Sequence, residues 1–129
     1  MALLVLDSSV LVAYFSPADQ HHKKAIAALL AAADDEKIVI TTVLAEILVH
    51  PYRLGPSAVA MIDAALVALL ARVEPVTQAV ARRAADLRAQ HSGLRLADAL
   101  VVAAGDVFDG RVLTADRSLR KLSSRIRSL

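Results

Sequence analysis

Residues 3–15, LLVLDSSVLVAYF, contain the pattern that decides the fold of this chain. An apolar run over residues 3–6 is followed by Asp7 and two serines, after which apolar residues return at helical spacing. This pattern predicts a buried strand that leads directly into a helix. An acid at such a junction lies at the carboxyl edge of a sheet, where open α/β folds bind their ligands. Asp7 is therefore a candidate functional residue, although an acid in this place serves in some proteins only to cap the helix.

Strand and helix patterns alternate along the rest of the chain. Apolar or β-branched runs predict further strands at residues 37–41, 73–76 and 111–114. The strand at residues 73–76 is expected at a sheet edge because it contains Pro75, which cannot donate a ladder hydrogen bond. Two helices are expected between successive strands and one more after the last strand. This order predicts an α/β fold with a mostly parallel sheet of about four to five strands, flanked by helices on both faces.

Proline and hydroxyl residues predict several helix boundaries. Pro51 is expected to end or kink the helix that starts at Thr42, because proline lacks the N–H that a helix interior needs. Ser57 is a good N-cap for the long apolar helix that follows. Thr77 is expected to cap a helix over residues 78–90.

Length and composition limit the class of protein. The 129 residues suit a single domain, and a hydrophobic fraction of 57% with only 3% aromatic residues predicts closely packed helices. No apolar window reaches the roughly 20 residues that span a bilayer, and the N-terminus lacks a secretory signal pattern. We therefore expect a cytoplasmic protein without a membrane partner. The chain has no cysteine, which excludes disulfides, thiolate metal sites and a cysteine nucleophile.

Charge is distributed unevenly between the two parts of the chain. Residues 1–72 contain five Lys or Arg against seven Asp or Glu, whereas residues 73–129 contain ten against six. The basic residues crowd the last thirteen positions, where guanidinium groups would suit contact with phosphate oxygens. A solvated tail that keeps the protein soluble explains the same pattern equally well.

Four acids lie in otherwise apolar segments, namely Asp7, Glu46, Asp98 and Asp116. Two follow predicted strands, and the other two belong to helices that should begin at the same edge of the sheet. Like charges about 4 Å apart repel by about 4 kcal/mol at an effective dielectric of about 20, so their convergence would favour a divalent cation. An all-oxygen set of ligands selects a hard metal such as Mg²⁺ or Mn²⁺. Plainer interpretations are a solvent-facing residue for Glu46, a helix-dipole partner for Asp98 and a turn residue for Asp116.

The sequence resembles the PIN-domain ribonucleases and, within them, the VapC-type toxins of prokaryotic toxin–antitoxin pairs. The resemblance extends over essentially the whole chain and rests on four ordered motifs, LVLDSSVLVAYF, TTVLAEILVHPYRLG, LRLADALVVAAG and RVLTADRSL. In that family the four equivalent acids form a metal-dependent nuclease centre. The resemblance therefore implies that Asp7, Glu46, Asp98 and Asp116 are catalytic. It also implies that Asp7, Asp98 and Asp116 hold the Mg²⁺ or Mn²⁺ ion.

The implied reaction is metal-dependent hydrolysis of an RNA phosphodiester bond. Glu46 would orient or deprotonate the attacking water. Ser8 or Ser9, together with Thr114, are candidates to fix the carboxylate rotamers by hydrogen bonds, although ordinary capping and turn formation explain these hydroxyls equally well.

The implied partners are RNA, an antitoxin and a second copy of the chain. Structured RNA or single-stranded loop RNA would reach the acids across a basic rim, for which the candidates are Arg95, Arg117 and Arg120. A VapB-like antitoxin and a homodimer are also implied by the resemblance. The helix at residues 59–70 is apolar on most of its circumference, so one side should enter the core and another is available to a partner. A fully covered core helix is the alternative.

Two positions depart from the family pattern. Leu119 replaces a common aromatic residue, and Arg117 follows Asp116 where some relatives have a further acid, which leaves a second metal position open.

Two alternative functions remain: a PIN nuclease of RNA processing or turnover without an antitoxin, and an inactive domain that binds RNA or protein. Serine-hydrolase and nucleotide-binding motifs are absent, and the histidines lack zinc-site spacing.

Overall fold

A computed structural model describes residues 2–129 and contains one sheet of five parallel strands. The strands are β1 (Leu3–Leu6), β2 (Glu36–Ile40), β3 (Arg72–Glu74), β4 (Arg111–Thr114) and β5 (Ile126–Ser128). Their order across the sheet is β3-β2-β1-β4-β5, so the first strand is central. The predicted α/β fold with a parallel sheet is confirmed.

Six α-helices and one 3-10 helix connect these strands within the described part of the chain. The helices are α1 (Ser8–Phe15), α2 (His22–Ala31), α3 (Thr41–Leu54), α4 (Pro56–Leu69), α5 (Gln78–Gln90), α6 (Leu96–Val107) and the 3-10 helix Arg117–Leu122. Because crossovers between parallel strands are right-handed, the strand order implies that α1 to α4 cover one face of the sheet and that α5 and α6 cover the other. Within residues 2–129, no helix is both long enough and apolar enough to cross a membrane.

The central strand is buried because its neighbours cover it from every side. Val5 and Leu6 are fully buried, and α6 is buried continuously over residues 98–105. Gly105 allows α6 to approach β4 closely, because a Cβ atom at this position would lie only 2.5 Å from Cγ2 of Val112. This packing brings the first turn of α6 to the carboxyl edge of β1 and β4.

Of the predicted helix boundaries, the Thr77 cap is confirmed, the Ser57 cap is wrong, and the ending of a helix at Pro51 is not observed. Pro51 does not end α3, which continues to Leu54; the buried ring packs against the core, and the N–H of Gly55 donates to the Pro51 carbonyl at 3.0 Å. Ser57 is not the N-cap of α4, because Gly55 occupies that position and Pro56 begins the helix. Thr77 does cap α5, where its hydroxyl accepts the N–H of Val80 at 3.2 Å.

The predicted final helix is also wrong. The chain forms the short 3-10 helix and then a fifth strand, whose three residues include a single buried side chain, Ile126. So short a strand at the edge of the sheet carries too few apolar residues to produce a strand pattern in the sequence.

Candidate functional site

Asp7 lies where the central strand ends and α1 begins. Its N–H donates to the Leu113 carbonyl at 3.0 Å, which ties it to β4, and the residue is only 5% exposed. Asp7 occupies the N-cap position of α1, but its carboxylate makes no capping hydrogen bond. The helix-capping interpretation of this acid is therefore excluded by the geometry.

Two hydroxyl groups hold one oxygen of the Asp7 carboxylate. Ser9 Oγ and Thr114 Oγ1 lie 2.7 and 2.8 Å from Asp7 Oδ2. Each hydroxyl also accepts a backbone N–H from the segment after β4, Ser9 from Ala115 at 2.9 Å and Thr114 from Asp116 at 3.0 Å. Because each hydroxyl has one proton and already accepts a backbone N–H, the proton of each is directed at Asp7 Oδ2.

The other oxygen of Asp7 is available to a ligand. Among residues 2–129, Asp7 Oδ1 has no hydrogen-bond partner, and the only buried side-chain polar atom without a partner is Thr42 Oγ1. Asp7 Oδ1 therefore reaches solvent from an otherwise buried residue. The Ser9 and Thr114 hydroxyls thus orient the carboxylate so that one oxygen is anchored and the other is free.

Asp98 projects from the first turn of α6 and is 8% exposed. Arg95, at the N-cap position, forms a forked salt bridge with it: Nε lies 3.1 Å from Oδ2 and Nη2 lies 3.4 Å from Oδ1. The Arg95 side chain is itself well exposed to solvent, so this arginine is a surface counter-ion rather than a buried partner. The contact with Asp98 raises the pKa of Arg95, and the charges of Glu46 and Asp116 raise it further.

Glu46 lies on α3, where it is exposed to solvent but close enough to Asp7 and Asp98 for their charges to affect it. Partial desolvation of the carboxyl group raises the pKa of Glu46 above its usual range, and the negative charges of Asp7 and Asp98 raise it further. The positive charge of Arg95 and an interaction with Ser8 oppose this rise. Glu46 therefore holds a proton more readily than an ordinary glutamate.

Asp116 leaves the end of β4 and begins the 3-10 helix. Its Oδ1 accepts the backbone N–H of Ser118 at 2.9 Å and the Ser118 hydroxyl at 2.7 Å. The hydrogen bonds of a turn, which are the plainer interpretation of this exposed acid, therefore account for one of its two carboxylate oxygens. Asp116 also adds to the negative field that acts on Arg95, which links it to the other three acids.

The structure brings the four predicted acids to one edge of the sheet, where they interact through their charges and through Arg95. It does not bring them into a closed cage. In the described residues, no three His, Cys, Asp or Glu side chains lie close enough together to hold a metal ion. The positive charge now closest to Asp98 is the Arg95 guanidinium.

A cavity of about 530 Å³ opens beside Asp98 and Asp116. Arg95 and Lys121 are its basic lining residues, whereas Arg117 and Arg120 are exposed elsewhere and do not line it. Of the three residues predicted for the rim, Arg95 lines the cavity. Lys121 was predicted only as one of the basic residues near the C-terminus that could contact phosphate, and the 3-10 helix brings it to the cavity wall.

The chain matches the sequence model of one protein family, the PIN domain, over residues 4–124. No curated protein sequence matches it significantly. Its fold is similar to that of several solved toxin–antitoxin proteins. A toxin–antitoxin complex from Klebsiella pneumoniae is 18% identical, with a TM-score of 0.81 over 96% of this chain and 95% of that one.

Two further solved structures have the same fold at low sequence identity. VapBC2 from Rickettsia felis, bound to a DNA fragment from its promoter, is 12% identical with a TM-score of 0.78 over 98% of each chain. The sarcin-ricin loop cleaving toxin VapC20 of Mycobacterium tuberculosis is 22% identical, with a TM-score of 0.72 over 92% of this chain and 93% of that one. The family match spans most of the sequence, and the observed fold agrees with it. The chain belongs to the PIN domain family.

Proposed function

We propose that this protein is a metal-dependent ribonuclease that hydrolyses RNA phosphodiester bonds and acts as the toxin of a VapBC-type toxin–antitoxin pair. The observation that carries the proposal is the convergence of Asp7, Glu46 and Asp98 at the carboxyl edge of the PIN fold, where desolvation and the charges of the two aspartates raise the pKa of Glu46. The negative charges of these three acids, which come from three separate elements, interact at this edge. Such coupling is a feature of sites where charge is concentrated for catalysis.

The chemistry of the donor set suits a hard divalent cation, although the carboxylates would have to move closer together to share one ion. Every candidate ligand atom is a carboxylate oxygen, and among residues 2–129 the cation that contacts the group is the solvent-exposed Arg95. We assign Asp7, Asp98 and Asp116 as the residues that would hold Mg²⁺ or Mn²⁺. When bound, such an ion supplies a Lewis acid for the phosphate and lowers the pKa of a water molecule.

Residues of the chain account for ligand orientation, proton transfer and phosphate binding. Asp7 offers one fixed oxygen, because Ser9 and Thr114 hold the other. Glu46 accepts a proton from the attacking water, and its raised pKa makes it a stronger base than an ordinary glutamate. Arg95 is exposed at the rim, where its guanidinium group can pair with a phosphate oxygen once it leaves Asp98.

The reaction balances without any further reactant. The water oxygen forms a bond to phosphorus, one P–O ester bond breaks, and the proton taken up by Glu46 is passed to solvent or to the departing oxygen. The products are two shorter RNA strands, one of which ends in a phosphate monoester.

The proposal includes an antitoxin partner because the similar solved structures include toxin–antitoxin complexes. An apolar groove of about 630 Å³ lies between α1, α3 and α4. Its apolar lining includes Val12, Phe15, Ile47, Leu54, Met61 and Ile62. Met61 is 74% exposed, so a partner helix that filled the groove would bury a large apolar side chain.

Self-association is a second part of the partner proposal. Val67, also on α4, is 81% exposed and lies six residues after Met61, which places it about 120° around the helix. One helix therefore presents two separate apolar surfaces. We assign the Met61 side to the antitoxin and the Val67 side to a second copy of this chain.

Expression in a bacterial host tests the toxin assignment. The wild-type chain should stop growth, and Asp7→Asn, made at the same level, should not. Coexpression of a short reading frame adjacent to the gene should restore growth. Normal growth in the presence of wild-type protein that cleaves RNA in vitro would instead identify a processing nuclease.

A further inference from the structure

The cavity of about 530 Å³ that Asp98 and Asp116 line extends well beyond these two acids. One wall is the loop between α5 and α6, and the other is the 3-10 helix. Away from the acids it is lined by Gln90, His91, Ser92, Gly93, Leu94 and Lys121. We call this part of the cavity the flanking pocket.

The loop wall is held in a defined shape. Gly93 has a φ of 83°, a left-handed conformation that favours glycine, and the Leu94 N–H donates to the His91 carbonyl at 3.2 Å. Arg88 Nε donates to the Leu94 carbonyl at 3.0 Å, which fastens the loop to α5. No heavy atom lies within 4 Å of the point where a Cβ on Gly93 would stand. The pocket therefore has a preformed wall with open space beside it.

Polar groups in the flanking pocket are unused within the described residues. The Lys121 ammonium, the His91 ring and the Ser92 hydroxyl have no hydrogen-bond partner in residues 2–129, whereas Gln90 uses its amide N–H on Asp86 at 2.9 Å. The amide oxygen of Gln90 remains free. The pocket thus offers one cationic group, one aromatic ring and several donors and acceptors, with Leu94 as an apolar contact.

This chemistry suits a single nucleotide. A phosphate pairs with an ammonium group, and an unstacked base is recognised by stacking on a ring and by hydrogen bonds to its edges. Resting on the proposed ribonuclease function, we propose that the flanking pocket binds one nucleotide of single-stranded RNA next to the scissile phosphate. Lys121 holds its phosphate, and His91 and Gln90 contact its base.

The pocket therefore sets base preference at one position beside the cut. The acids and the pocket share a continuous cavity, so a strand whose scissile phosphate lies at Asp98 places its neighbouring nucleotide between the two walls. A wall made of a loop and a 3-10 helix also explains how relatives of the same fold could differ in preference without any change in the acids.

Binding by a cleavage-deficient full-length chain tests the pocket directly. In an Asp7→Asn background, fluorescence anisotropy would measure the affinity for labelled RNA tetranucleotides of different sequence. Lys121→Ala and His91→Ala should each weaken binding by about tenfold. His91→Ala should also reduce the difference in affinity between sequences. Lys24→Ala and His21→Ala, which remove the same groups from the start of α2, should leave binding unchanged.

Cleavage kinetics separate this proposal from the proposed function. In otherwise wild-type protein, Lys121→Ala and His91→Ala should raise KM with little change in kcat. If the wild type cleaves RNA but the pocket variants bind and cleave as the controls do, the pocket assignment is wrong and the nuclease assignment stands. Failure of the Asp7→Asn parent to bind RNA would also overturn the pocket. Loss of binding to a protein partner, with RNA binding intact, would reassign the pocket to that partner.

Discussion

Thr114 Oγ1 lies 2.8 Å from Asp7 Oδ2, although 107 positions separate the two residues in the chain. The contact joins the ends of adjacent parallel strands, and the fully buried threonine also accepts the N–H of Asp116. The Thr114 hydroxyl therefore positions both the carboxylate of Asp7 and the backbone of Asp116. The positions of these two acids are coupled through one side chain.

Replacement of Thr114 by valine removes this hydroxyl with little change of shape. We expect cleavage to fall by about tenfold to one hundredfold, because Asp7 would lose an orienting donor. The free energy of unfolding should fall by about 1 kcal/mol, since the part-buried N–H of Asp116 would lose its acceptor. Thr114→Ser keeps the hydroxyl and should retain most of the activity. Equal activity of the valine and serine variants would contradict the positioning role.

On the proposed metal site, Arg95 would compete with the ion for Asp98. Removal of its charge in Arg95→Ala should strengthen Mn²⁺ binding by up to about fivefold, as measured by calorimetry or electron paramagnetic resonance. Arg82→Ala removes an exposed arginine from α5 and should not change the affinity. Unchanged or weaker Mn²⁺ binding by Arg95→Ala would place the ion away from Asp98.

Ionisation of Glu46 destabilises the folded chain. Because the folded-state pKa is raised above its ordinary value of 4.5, the penalty is present above the folded-state pKa and vanishes as pH falls below 4.5. Glu46→Gln should therefore unfold at a higher temperature than the wild type at pH 7, without divalent cations, and show no advantage at pH 4. Asp63→Asn, which removes an exposed acid from α4, is the matched control. A Glu46→Gln variant that is no more stable at pH 7 would rule out the charge coupling.

The apolar groove can be tested through Met61. Met61→Asp places a charge at the exposed rim and should abolish neutralisation by the antitoxin, because burial of an unpaired carboxylate is costly. RNA cleavage by the free protein should remain at the wild-type level. Val67→Asp is the corresponding variant on the other side of α4, and it should change the oligomeric state seen by light scattering instead. Neutralisation of Met61→Asp at wild-type efficiency would exclude the groove as the antitoxin site.

The sequence allowed prediction of the elements whose pattern is local and strong. The apolar run at residues 3–6 and the strand at residues 111–114 are observed with the predicted bounds, and Thr77 caps α5 as expected. These elements are predictable because their burial is continuous or their cap chemistry is encoded within four residues.

Tertiary packing decided the features that could not be predicted. Burial of Pro51 allowed α3 to continue, and the fifth strand depends on pairing with β4 rather than on its own apolar residues. The candidate site likewise has some features that the sequence predicts and others that depend on tertiary packing. The four acids were predictable from their apolar surroundings and the family resemblance, whereas the Arg95 contact with Asp98 and the flanking pocket depend on distances that only the fold defines.

The most direct test of the central claim is cleavage of a structured RNA by the purified chain under three conditions. We predict strand scission by the wild type with Mg²⁺ or Mn²⁺, none in EDTA, and a loss of at least about one hundredfold for Asp98→Asn with metal present. Metal-independent cleavage by the wild type, or full activity of Asp98→Asn, would contradict the account.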